Sequence, residues 1–288
     1  MWLSIAERSG MKAAVFGLLI YVNLSLSQGI IFPWPLDTEA SSNDIVLNIK
    51  TPQGFIRTPA DSSSFTGWLR QLPLKTKGRK VLLHNGRVKG NQTAQYRIIN
   101  IDTGRQDLQQ CADAVIRLRA EYLYFRKKFS EIHFNFTSGD QADYIKWKQG
   151  FRPKIQGSKV SWEKRAGQSS SYKIFRKYLK TVFIYAGSYS LSREMISVSN
   201  ASEIEIGDVF IQGGFPGHAV IAVDMAEKNG SKAVLLAQSY MPAQEIHILK
   251  NPSNQSMSPW FIINETEKLY TPEWTFEWSD LKRFKNNE

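Results

Sequence analysis

The chain has one cysteine, Cys111, and four histidines. Whether it does chemistry turns first on the residues beside that thiol. In Asp107-Leu108-Gln109-Gln110-Cys111, Asp107 is placed to cap a helix and Gln110 to reach back from three residues later. Cys111 then falls in the first turn, where unpaired N–H groups and the helix dipole favour negative charge and lower a thiol's pKa. Cys111 also lies on an apolar stripe, which fits an inert core cysteine equally well. A second candidate is His218. The Gly213-Gly214-Phe215-Pro216-Gly217 run delivers it to the start of a β-strand, a place that holds an imidazole rigidly yet partly open for general-base work. A third is Gln238. If 219–223 and 234–238 form a hairpin, an odd-length loop sets Gln238 on the His218 face and an even one sets Ser239 there. A neutral amide at that point can orient the imidazole. Asp224 shares the facing parity, but six residues along a strand is roughly 20 Å.

Other chemistries find little in the sequence. There is no HExxH, no CxxC and no close histidine pair, so neither a metal nor another cofactor is expected. Asp140 and Asp143, near Gly139, read as solvated loop residues. Gly213-Gly214 lies between strands rather than before a helix, and no GxSxG elbow occurs.

The elements that must position these residues follow from periodicity. Leu108, Cys111, Val115, Leu118, Tyr122, Phe125 and Phe129 recur at three- and four-residue spacing and predict a helix opening at Asp107, with Arg117, Arg119 and Glu121 on its wetter side. A second helix is expected over 171–186 and a short one over 65–72. Strands are expected at 45–49, 81–84, 96–101, 209–211, 219–223, 234–237 and 246–249, with Asn229-Gly230 as a turn. The Gly-, Ser- and Lys-rich stretch 137–170 reads as a long, partly irregular connection.

The 288 residues are 42% hydrophobic and 22% charged, a globular composition. Lys12 precedes an apolar run from Ala13 to Val22, and small residues follow at Ser25 and Ser27. This is a secretory signal over 1–27, followed by a tether over 28–43 and one domain over 44–288 with an insertion at about 137–205. No later segment is apolar enough to span a membrane. Export to a bacterial envelope makes a lone thiol notable, because no internal disulfide can form. The formal charge of +11 favours anionic partners such as wall polymer, and export argues against nucleic acid.

The order of helix-start cysteine, Gly207-Asp208-Val209-Phe210, Gly217-His218-Ala219-Val220-Ile221 and a strand bearing a polar residue resembles the NlpC-type and CHAP-type cysteine hydrolases. That resemblance implies an α+β, papain-like fold, a central helix packed on an antiparallel sheet with a long insertion. It assigns Cys111 as nucleophile, His218 as base, Gln238 as orienting residue, Asp208 as structural, and Gln109 or Gln110 as oxyanion support. The implied reaction is hydrolysis or acyl transfer at an amide bond, with cell-wall peptide as substrate. The alternative is an inactive envelope module that binds anionic glycan or wall polymer through basic residues and exposed Trp. The stretches Leu108–Tyr124, Gly207–Asp224, Ala237–Leu249 and Thr271–Trp274 also resemble the bacterial domain of unknown function 4846, which implies no activity. Gln110 directly before the cysteine and the long segment from Cys111 to Gly207 depart from the hydrolase pattern.

Overall fold

Strongly apolar, β-branched segments near the C-terminal half build the sheet that everything else packs on. The computed structural model describes residues 30–37, 44–265 and 268–285. The expected signal over 1–27 lies outside these residues, as does half of the expected tether. The compact unit is Phe32–Glu288. Its start is anchored, because Trp34 is buried and its Nε1–H donates to Asn100 O at 2.8 Å.

The main sheet comprises β1 (Ile56–Arg57), β2 (Gln95–Ile98), β3 (Ile196–Ser197), β4 (Val209–Gln212), β5 (His218–Lys228), β6 (Ser231–Gln238), β7 (His247–Leu249), β8 (Trp260–Ile262) and β9 (Leu281–Arg283). Its order is β2-β7-β6-β5-β4-β9-β3, with β1 added on β5 and β8 on β6. Every pairing is antiparallel. Among the described residues five α-helices accompany it: α1 (Phe65–Arg70), α2 (Cys111–Phe125), α3 (Tyr144–Lys148), α4 (Tyr172–Tyr185) and α5 (Ser188–Glu194). The class is therefore α+β. No helix among the described residues is long and apolar enough to cross a membrane.

Several features differ from the sequence expectation. Helix α2 begins at Cys111, not after Asp107. Its N-cap is Gln110, whose N–H donates to Asp113. Asp107 instead accepts from Ala243 N–H and from the Gln110 amide. Arg117, Arg119 and Glu121, expected on the wetter side of α2, are buried instead. Arg117 and Glu121 pair at 2.6 Å, and Tyr172 donates to the same Glu121 oxygen. A helix covered on all sides still keeps charges if they satisfy one another. Finally, 137–170 is not irregular. It holds α3 and a hairpin of 151–156 with 159–164, turned by Gly157-Ser158, and a second hairpin joins 133–135 to 141–143. These strands are short and polar, so they carry little hydrophobic alternation. Conversely, 46–48 is a 3₁₀ turn, and 81–84 contributes only isolated bridges.

Candidate active site

Cys111 occupies the first helical position of α2, at the end of a loop pinned from several sides. Ser239 Oγ–H donates to Gln109 O, and Asp113 accepts from Gln110 N–H at 3.1 Å. The Gln110 side chain makes no cap hydrogen bond, so the first helical N–H groups stay available for other use. The N–H groups of Ala112, Ala219 on β5 and Cys111 lie near enough to the sulfur to favour its thiolate. The thiol itself meets Gly217 O at 3.8 Å. Sγ thus touches the backbone on both sides of His218.

Position alone does not give Cys111 the depressed pKa expected for a helix start. Burial is the largest influence and pushes the thiol up to about 11. The Ala112 N–H opposes it, Asp113 adds to it, and the Ala219 and Cys111 N–H groups oppose it. Cys111 is only 7% exposed, so desolvation of the thiolate outweighs the helix terminus.

His218 opens β5, as its glycine-rich approach predicts, but it is not partly open. It is fully buried, with Tyr240, Trp274 and Phe276 around it at ring-centroid distances of 4.8, 5.3 and 5.8 Å. Burial lowers its pKa to about 4; the Gln238 contact acts the other way and the Lys89 charge adds to the lowering.

Gln238 reaches His218 by a route that loop length does not reveal. The turn between β5 and β6 is the two-residue Asn229-Gly230, with Lys228 opposite Ser231. Unbroken alternation from that turn would bring Ser239 to the His218 face. A bulge intervenes: Leu235 faces Asp224, but Leu236 faces Ala222, which leaves Val223 unpaired. The one extra residue shifts the register by one and reverses the parity. Ala237 then faces Ile221, and the next step sets Gln238 across from Val220, on the His218 face. Gln238 Oε1 lies 2.8 Å from His218 Nε2.

Glu273 completes this arrangement and fixes its proton. Gln238 Nε2–H donates to Glu273 Oε2 at 2.7 Å, so the amide's oxygen end must face the imidazole. His218 Nε2 therefore carries the hydrogen, and Nδ1 keeps the lone pair. Nδ1 is buried and has no hydrogen-bond partner among the described residues. Lys89 Nζ and Asn91 Nδ2 hold Glu273 in turn, at 2.6 and 3.2 Å. The sequence carried one trace of Glu273, a lone acid between Pro272 and Trp274 in an aromatic tail. Lys89 had no signal.

The remaining expected residues are placed elsewhere. Asp208 is buried and held by Arg283 Nε and Nη2 at 2.7 and 2.8 Å, and it accepts from Glu205 N–H. Gln109 Oε1 accepts from Arg117 Nη1, and the Gln110 amide donates to Asp107. Neither glutamine side chain stands as the donor at the sulfur; the backbone N–H groups do. Asp224 is buried between Arg57 and Arg70, at 2.7 and 2.6 Å. No cluster of three His, Cys, Asp or Glu side chains is arranged for a metal among the described residues.

Fold and site together define an α+β protein whose central helix starts at a buried thiol that meets the backbone next to His218, the first residue of a buried His–Gln–Glu array on an antiparallel sheet. The chain belongs to the family described as domain of unknown function (4846), whose model matches residues 45–283. Comparisons with curated proteins and with solved structures give no match.

Proposed function

We propose that this protein is an exported, papain-like cysteine hydrolase or acyltransferase that acts on an amide bond, with wall peptide as the substrate class. The observation that carries the reading is the fixed tautomer of His218, whose Nδ1 keeps its lone pair on a residue whose neighbouring backbone touches Cys111 Sγ. In the reaction, His218 Nδ1 takes the thiol proton as Sγ attacks the amide carbonyl. The tetrahedral oxyanion forms at the helix start, where the Cys111 and Ala112 N–H groups supply donors. The imidazolium then protonates the leaving amine and the C–N bond breaks, leaving a thioester on Cys111. Water, or an acceptor amine, attacks that thioester with His218 again as base. Both groups are neutral at rest, since burial raises the thiol and lowers the imidazole. Proton transfer therefore accompanies attack.

Closure of His218 favours a competing reading, an inert core thiol in a binding module. Trp residues do not favour that module, because Trp34, Trp68, Trp147 and Trp260 are buried and Trp162, Trp274 and Trp278 half-buried. Alkylation by iodoacetamide at pH 7 separates the two. The enzyme reading expects native Cys111 to react faster than the urea-unfolded chain, with His218→Ala slowing the native rate by about 10²-fold, the lower range for general-base assistance. A native rate below the unfolded one, unchanged by His218→Ala, supports the inert thiol.

A further inference from the structure

A cavity of about 410 Å³ lies between the 103–109 loop and the outer face of α4. That volume is within the roughly 300–1,000 Å³ common for ligand clefts. Lys173, Lys177 and Lys180 line one side at helical spacing of four and three, so they form a single row. At 1.5 Å per residue the row runs about 10 Å. Arg105 faces it from the loop. None of these four cations has a carboxylate partner among the described residues, and no acidic residue lines the cavity. Arg176, also in the wall, differs in being paired with Asp102 at 2.9 Å.

The wall holds two further polar groups that burial makes costly. Thr103 Oγ1 and Gln109 Nε2, on two residues of the wall, are both inaccessible, and neither has a hydrogen-bond partner among the described residues. Gln109 itself is 1% exposed. Buried polar atoms of this kind are normally satisfied. In the cavity itself the four cations without a carboxylate partner are the groups able to donate to an anion.

From this we infer that the cavity is a binding site for a linear, phosphate-bearing polymer without bases. Lysine ammoniums act as point charges suited to phosphate, whereas planar carboxylate recognition draws on arginine forks. A row about 10 Å long engages more than one anionic group. Bases are disfavoured because the sole aromatic in the wall, Phe183, is buried and offers no exposed stacking platform. The site does not depend on thiol chemistry.

Short-chain inorganic polyphosphate, titrated by calorimetry into the full chain at two salt concentrations, tests it. Wild-type affinity is expected to fall at least tenfold between about 50 and 200 mM salt. The triple substitution Lys173→Gln, Lys177→Gln and Lys180→Gln is expected to weaken binding at least tenfold. Lys159→Gln with Lys164→Gln, on the separate 151–164 hairpin, and Cys111→Ala are both expected to leave it unchanged. Affinity within twofold of wild type in the triple variant overturns the site. So does tighter binding of a single-stranded oligothymidylate of matching charge, which would mark a nucleic-acid surface instead.

Discussion

Glu273 is the residue on which the site's chemistry turns, because it decides which end of an amide His218 sees. Its carboxylate receives Lys89, Asn91 and Gln238 together. Lys89 is 6% exposed, and burial, opposed by Glu273, lowers its pKa. Breaking a buried ion pair by removing one partner leaves the other charge uncompensated. Glu273→Gln is therefore expected to destabilise the protein by about 3 kcal/mol, at the low end for such pairs. Adding Lys89→Met removes the stranded ammonium, so the double variant is expected to be more stable than Glu273→Gln alone. Urea unfolding of the two single variants and the double checks this; additive losses would show that Lys89 and Glu273 are not coupled.

At the scale of elements, the segment that delivers His218 is set by close approach. A Cβ on Gly217 would meet Ser188 Oγ on α5, and would stand 2.6 Å from Gln212 O and 2.8 Å from Gly214 O. Gly217→Ala must push β4 and α5 apart, and overpacking of this kind costs about 1–3 kcal/mol. The variant is expected to melt several degrees lower and to alkylate at Cys111 more slowly, because Gly217 O also touches the thiol. An unchanged melting temperature would mean the loop yields freely. The same segment shows what the sequence made legible. A glycine-rich run before an apolar, β-branched stretch marks the strand and the histidine at its start, and the 3.6-residue period marks α2 and α4. What decided Gln238 over Ser239 was not legible, since the bulge at Val223 lies inside an unbroken apolar run, Ala219–Val223, with no glycine or proline to announce it. Nor was the burial of Arg117 and Glu121. Charges on a helix read as solvent-facing unless their partners, here Tyr172 and Asp102, are known to converge on them. Glu273 stands 35 residues beyond Gln238, and only tertiary structure brings them together.

Across the whole molecule, two neutral histidines lie in the interior, and they tie stability to pH. Besides His218, His247 on β7 is fully buried and donates Nδ1–H to Glu245 O at 2.9 Å. Burial lowers its pKa to about 3, with the Lys89 charge adding to the effect. Unfolded, the same imidazole titrates near 6.5. Above that pH neither state holds the proton. As pH falls from 6.5 towards 3, the unfolded chain binds it and the fold does not, so stability is lost in that window. His133 works in the opposite sense. Glu194 raises its pKa, so its contribution is present below 6.5 and leaves as pH rises through the raised value. Asp113 and Asp208, raised by burial, also favour the fold on acidification. The total is thus a sum of opposed effects, and a difference between variants isolates one of them. In His247→Asn an amide N–H takes the place of Nδ1–H without a titrating ring. Between pH 7 and 4 the wild type is expected to lose on the order of 3 kcal/mol more than this variant, at about 1.4 kcal/mol per pH unit once the unfolded imidazole is protonated. Urea midpoints of both proteins across that range measure the gap. Parallel curves would mean that His247 is protonated in the fold, and that the interior between β2 and β6 is not the dry environment its burial implies.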